Sequence, residues 1–397
     1  MTTTINNEHK KLNAPNLRFP EFEGEWETSK LGEICNVLMC KRILASQTNT
    51  EEGVPFYKIG TIGGTPDAFI SKELFDTYRK KYNYPRKGEV MITCAGTVGK
   101  CIIYDGKDAY FQDSNIVWID NNSRSIENEF LYHLVSKIDW RKLNSTTIVR
   151  IYNDDLRNIK LCYPNVHEQK KIAKLLSLLD ERIATQNKVI DKLQSLIKGI
   201  NQEVFNEVGC RHKLGNICEI KSGYSGNQLI KKEGLKVSRI ETISGHRINL
   251  ERVGYVSPFK NSESYKLQVG DILFSNINSV EYIGNTAFVD KDYDLYHGMN
   301  LLRLIPNSKV VVPFYLYLLL NTCKMLNRFK TICNKAVSQA SINQTDLSKT
   351  IIVLPSLENQ IKICNIYEVL FSKIEAEKNC LSLYNAQKQY LLRQMFI

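Results

Sequence analysis

The sequence has no long apolar run. Its longest, Val310 to Leu320, is interrupted by Pro313 and is about half of the roughly 20 residues that a bilayer-spanning helix needs. The opening MTTTINNEHKK lacks the apolar core of a signal peptide, so neither export nor a membrane span is expected, and the cytoplasm is the expected compartment. Paired cysteines are also missing. The eleven that occur are scattered and none forms a C-x-x-C pair, which points to reduced thiols and away from a disulfide framework or a zinc site. The six histidines, at 9, 133, 167, 212, 246 and 297, have no cysteine or carboxylate company at ligand spacing, so no metal centre is expected. His133 lies on an apolar helix face and reads as a packed residue.

Catalytic signatures are equally scarce. There is no Asn-Pro-Pro-Tyr-like methyltransferase tetrapeptide and no glycine-rich turn suited to a nucleotide phosphate. Gly96-Thr97-Val98-Gly99-Lys100 is too short for a phosphate-wrapping loop and reads as a strand turn, with Lys100 available to a DNA phosphate. Pro66-Asp67 with Asp105-Gly106-Lys107 has the letters of a magnesium-dependent nuclease, but their spacing is long and Asp105-Gly106 reads as a turn. No catalytic residue and no cofactor are expected in this chain.

What is present is length, charge and repetition. A chain of 397 residues with 43% hydrophobic and 24% charged content has room for two or three domains with real cores. Its net charge of +11 suits a polyanionic partner. "LRNIKLCYPNVHEQKKI", Leu156 to Ile172, returns as "LSKTIIVLPSLENQIKI", Leu347 to Ile363, and the spacing of 191 residues holds as far as Phe205 and Phe396. Weaker echoes precede it: "SKLGEIC" from Ser29 with "HKLGNIC" from His212, and "KGEVMIT" from Lys87 with "VGDILFS" from Val269. The parse is a first variable domain over 1–165, a central helix over 166–208, a second variable domain over 209–355 and a distal helix over 356–397.

Within each domain, "CIIY", "NIVWID", "DILFS" and "TAFVD" are β-branched or aromatic runs between turn residues and read as strands. Glu127 to Trp140 and Val312 to Leu326 read as the helices that follow them. The fold class expected is mixed α/β (α+β): two pseudo-repeated domains separated by two long antiparallel coiled-coil helices. In the central helix the seam runs Ile172, Leu176, Leu179, Ile183, Gln186, Ile190, Leu193, Ile197, Ile200 and Val204. Gln186 is its polar member, and Glu377 occupies the same place in the distal seam. A polar pair near the two midpoints would penalise slipped registers; the alternative is a wetter stretch that faces a partner. About 33 residues at 1.5 Å each make a rod of roughly 50 Å, a length that suits a ruler between two half-sites on one face of a duplex.

These residues resemble the specificity subunit of type I restriction-modification systems. "NLRFPEFEGEWETSKLGEI" from Asn16, "NIKLCYPNVHEQKKIAKLLSLLDERI" from Asn158 and "IIVLPSLENQIKI" from Ile351 carry the likeness, which covers nearly the whole chain. The resemblance implies two target recognition domains that read a bipartite, asymmetric sequence in double-stranded DNA. It implies two modification subunits that use S-adenosylmethionine to methylate adenine N6, and two restriction subunits that use ATP and Mg²⁺. The Pro164 to Gln169 step is similar to the family's central helix and makes Glu168, Gln169 and Gln360 candidate helix-seam or docking residues. Glu358 stands one place earlier than Glu168 would predict, which puts equal docking at both helices in doubt.

Base readout needs amide, hydroxyl or guanidinium groups near a groove, with cations on phosphates. In the first domain the candidates are Lys58, Thr61, Thr93, Thr97, Lys100, Arg150 and Tyr152. In the second they are Lys221, Tyr224, Asn227, Arg239, Ser275, Asn276, Asn278, Lys335, Ser338 and Gln339. Homologous placement supports Thr93 with Ser275 and Arg150 with Ser341. The competing readings are a stand-alone nuclease or methyltransferase and a coiled-coil adaptor that binds no DNA.

Overall fold

The structure is a computed structural model that describes residues 13–122, 125–140, 150–205, 209–335 and 339–397. Two compact units emerge: Met1–Lys188 with Lys378–Ile397, and Val189–Glu377.

In the first unit, four antiparallel strands lie in the order Asn36–Leu38, Ile116–Asp120, Val90–Thr93, Cys101–Ile103. Val90–Thr93 is buried along its whole length, which explains an unbroken apolar run: a strand covered on both faces has no polar side to show. Side chains alternate between two cores, as the period of a strand requires. Val90, Ile92, Val117 and Ile119 join Phe130, Leu131 and Leu134 of the helix Asn128–Ser136. Met91, Ile116 and Trp118 face Phe56, Phe75 and Tyr110 instead. A smaller sheet, Phe69–Ile70, Val54–Tyr57 and Tyr110–Phe111, contains a parallel pair and closes the second core.

The second unit repeats the four-stranded sheet in the same order: Cys218–Ser222, Leu302–Pro306, Ile272–Phe274, Thr286–Phe288. Ile272, Phe274, Leu302 and Leu304 enter one core, while Leu273 enters another. Arg303 stands opposite Leu273, where Trp118 stands opposite Met91. Its guanidinium is 6% exposed and meets Asp271, 3% exposed, at 2.7 Å, since a buried cation needs a partner. The expected helix over Val312 to Leu326 is two helices, Pro313–Leu320 and Cys323–Ile332. Thr322 ends the first at its carbonyls and caps the second, its hydroxyl accepting from the Met325 amide.

The two long helices are Val166–Val204, 39 residues, and Leu357–Gln394, 38 residues; at 1.5 Å per residue each is about 58 Å long. Every predicted seam position in both is buried or half-buried. Each unit holds part of both helices, running antiparallel. In the first, Lys388 pairs with Asp180, and Leu392, Met395 and Phe396 share a core with Ile172, Ala173 and Leu176. In the second, the Tyr367 hydroxyl meets Asn201 Oδ1 and Phe205 packs on Tyr367.

Candidate nucleic-acid interface

Both helices join their units through the same device. Gln169 is fully buried; its carbonyl oxygen accepts from the Glu127 amide at 2.8 Å and its Nε2 donates to the carbonyls of Ser125 and Pro164, both at 2.8 Å. In the second unit Gln360 accepts from the Val312 amide at 2.8 Å and donates to Pro355 at 2.9 Å and Val310 at 3.4 Å. One side chain thus ties the first turn of the long helix to the start of the helix that covers the sheet. Glu168 is also fully buried, held by Arg18 through two bonds of 2.7 Å. Arg18 further donates to the carbonyls of Gly24 and Glu23. Glu358 is exposed and pairs with Lys362 at 2.6 Å. Of the helix-seam or docking candidates, Glu168, Gln169 and Gln360 thus use their side chains in contacts that join each long helix to its own unit.

Gln186 and Glu377 are half-buried, and Glu377 pairs with Lys373 at 2.5 Å. His133 and His297 are buried, and burial pushes both imidazoles down to about 4, so both are neutral near pH 7.

The candidate readers divide by exposure. Thr93 and Ser275 are fully buried. The Thr93 hydroxyl donates to the Thr97 carbonyl and accepts from the Lys100 amide, and the Ser275 hydroxyl accepts from Asn278 at 3.1 Å. Both therefore hold turns after matching strands, and neither hydroxyl is presented to a groove. Gly99, at φ +81°, completes the first of these turns, where a Cβ would come within 2.0 Å of Trp140. Thr61 is another turn-former, bonded to its neighbour Lys58. Tyr224 is stacked on Phe259 with ring centroids 3.7 Å apart. Asn276 donates to the Ile342 carbonyl at 3.4 Å.

Exposed candidates remain. Thr97 and Lys100 project from the turn between the last two sheet strands, with Lys100 Nζ donating to the Ile62 carbonyl at 2.5 Å. Tyr152 is 62% exposed, under the Arg150 guanidinium at 5.8 Å. Lys58 pairs with Asp67, Lys221 with Glu219 and Arg239 with Glu241, all at exposed sites. Asn227, Lys335 and Gln339 are exposed, while Ser338, like residues 145–149 of the stretch before Arg150, lies outside the described residues. Asp105 faces Lys107 across a turn at Gly106. Among the described residues no group of three or more His, Cys, Asp or Glu could hold a metal ion, and no helix is long and apolar enough to cross a membrane.

Sequence reasoning missed a cleft of about 470 Å³ in the first unit, lined by Arg42, Lys58, Gln112, Asn115 and Arg150 among others. Arg42 Nε donates to Asp113 at 2.8 Å, and Ser114 donates to the same carboxylate at 3.2 Å. The polar types were visible in the sequence, but only the sheet order brings them together.

The comparisons agree with this architecture. A type I restriction enzyme specificity subunit from Haemophilus influenzae is 45% identical over 169 residues, 43% of each chain. One from Methanocaldococcus jannaschii is 41% identical over 180 residues, 45% of this chain and 42% of the relative. The chain therefore matches under half the length of these relatives. The crystal structure of a type I restriction-modification system S subunit from M. genitalium superposes with a TM-score of 0.63 at 16% identity, over 97% of this chain and 99% of that one. Two successive segments, residues 23–195 and 211–382, match the type I restriction modification DNA specificity domain, one for each repeated sheet, and the chain belongs to that family.

Proposed function

We propose that the chain is the DNA specificity subunit of a type I restriction-modification complex and performs no chemistry itself. Each unit reads one part of a bipartite, asymmetric target in double-stranded DNA, and the long helices set the spacer between the parts. The observation that carries this is duplication with divergence. Two sheets of identical strand order and two glutamine ties present differently lined clefts, as two readers of different half-sites require.

In this reading two modification subunits dock along the helices, bind S-adenosylmethionine and methylate adenine N6 after flipping the base, because N6 is out of reach in the stacked pair. Two restriction subunits supply ATP- and Mg²⁺-dependent translocation and cleavage, all in the cytoplasm. The net charge of +11 supports DNA as the partner, since neutralised phosphates give affinity that falls steeply with salt. Gln186 and Glu377 are the polar positions that select the helix register.

The test is a genome-wide map of N6-methyladenine in cells expressing this chain with its modification subunits. A split motif with one methylated adenine in each part, lost when the chain is deleted, is the expected result. Methylation independent of the chain, or DNA cleavage or methylation by the purified chain alone, would overturn the reading.

A further inference from the structure

The two units place a polar cleft at the same point of the repeat. In the first, the cleft lies between the segment after Asn36–Leu38, the turn before Ile116–Asp120 and the approach to the short helix Asn153–Arg157. In the second, a cleft of about 390 Å³ lies between the end of Cys218–Ser222, the turn before Leu302–Pro306 and the first residue of the helix Gln344–Ser348. The frame is the same down to a backbone bond: the Ile151 amide donates to Cys94 at 2.9 Å in one, and the Ile342 amide to Asn276 at 2.9 Å in the other.

The linings differ. The first presents Arg42, Gln112 and Asn115. Asp113, whose side chain is 15% exposed, holds Arg42 at Nε alone. Both Nη groups of Arg42 have no hydrogen-bond partner among the described residues, and neither do Gln112 Nε2 or the Asn115 side chain. A guanidinium fixed from behind loses little rotamer freedom on binding, and its two terminal donors match the O6 and N7 pair of guanine. The Gln112 oxygen accepts from the Ile59 amide at 3.4 Å, so Gln112 offers its Nε2 as a single donor, while the Asn115 amide matches the N6 and N7 pair of adenine. The second cleft is lined instead by Lys221, Ser222, His297, Arg303 and Gln344. There the Arg303 guanidinium is taken by Asp271 and by the Ser264 carbonyl. Gln344 uses its Nε2 on the Ile220 carbonyl at 2.7 Å, which leaves its oxygen as an acceptor. His297 Nε2 lies 2.9 Å from the Leu301 carbonyl, so the neutral ring donates there and its Nδ1 is an acceptor. One cleft offers donors with a cation held in place, the other acceptors beside a lysine.

We infer that these paired clefts are the base-reading sites, with Arg42 and Gln112 setting the identity of bases in one half of the target and Gln344 and Lys221 in the other. The inference rests on the proposed DNA-specificity function and names the residues that carry it.

The experiment maps N6-methyladenine in cells carrying the modification subunits with wild-type chain, Arg42→Ala, Gln112→Ala, Gln344→Ala, or the exposed surface control Lys80→Ala. Arg42→Lys is added because it keeps the charge and removes the forked donor pair. Arg42→Ala, Arg42→Lys and Gln112→Ala are expected to relax one or two base pairs of one half, by about tenfold or more in relative methylation, and to leave the other half unchanged. Gln344→Ala is expected to relax only the other half, and Lys80→Ala neither. An unchanged motif in the cleft variants, or a uniform loss across all sequences that Arg42→Lys restores, would overturn the inference, the latter because it marks phosphate contact only. A wild-type chain that directs no split motif would instead remove the functional reading beneath it.

Discussion

Replacing Gln169 by Leu tests how the helices are fastened to the recognition units. The side chain is fully buried and makes three bonds of 2.8 Å to backbone groups. Leucine has similar volume, so little cavity forms; what is lost is the partner of the Glu127 amide and of the Ser125 and Pro164 carbonyls. A buried backbone group left unpaired costs about 1–3 kcal/mol, and water reaching the Ser125 and Glu127 end offsets part of it, giving a net loss of about 3 kcal/mol. Gln360→Leu removes two short bonds and one of 3.4 Å, so its loss is about 2 kcal/mol. With a urea slope near 2 kcal/mol/M, the Gln169 midpoint falls by about 1.5 M and the Gln360 midpoint by about 1 M. Urea unfolding of the full chain, followed by amide exchange, reads both quantities and assigns each to its unit. A loss below about 1 kcal/mol for Gln169→Leu, or exchange faster in the second unit than in the first, would refute the reasoning.

Arg18→Ala leaves Glu168 buried without its cation and is expected to cost about 3–5 kcal/mol, whereas Glu358→Gln, at an exposed pair, changes stability by under about 0.5 kcal/mol; thermal unfolding compares the two. Phe396→Ala removes a ring stacked 5.1 Å from Phe130 and edge-on to Trp26, so the first unit loses about 3–5 kcal/mol and Trp26 fluorescence shifts on a destabilised transition. Because burial holds His133 and His297 at about 4 against 6.5 when unfolded, the unfolded chain binds more protons between those values, and stability falls as pH drops through that window and is fully present above it. His133→Phe flattens the corresponding part of the curve, measured by urea unfolding between pH 7 and 4. Inserting four residues in register into both helices adds about 6 Å and is expected to widen the spacer of the methylated motif by one or two base pairs with both halves intact.

What the sequence made legible was periodic or repeated. The 191-residue spacing and the seams need only local order, and both long helices follow them to within a turn at each end. Short strands such as Ile116–Asp120 and Ile272–Phe274 were readable because burial on both faces makes their central residues apolar. The helix break at Asn321 and Thr322 was not, because the surrounding leucines and tyrosines carry no glycine or proline; the break is made by a threonine cap. The candidate site was the least legible part. Thr93 and Ser275 sit at homologous points and have polar side chains, yet tertiary packing turns them inward. Glu168 is separated from Arg18 by 150 residues, and Arg42, Gln112 and Arg150 converge only through the strand order of the sheet, which no local pattern encodes.

The central claim is that each unit reads its own half of one target. The direct measurement exchanges residues 214–350 for the corresponding segment of a type I specificity subunit with a different target, keeps both long helices, and maps N6-methyladenine in cells with the modification subunits. The account predicts a new motif in which one half and the spacer are retained and the other half is replaced. A motif altered in both halves, or unaltered in either, would contradict it.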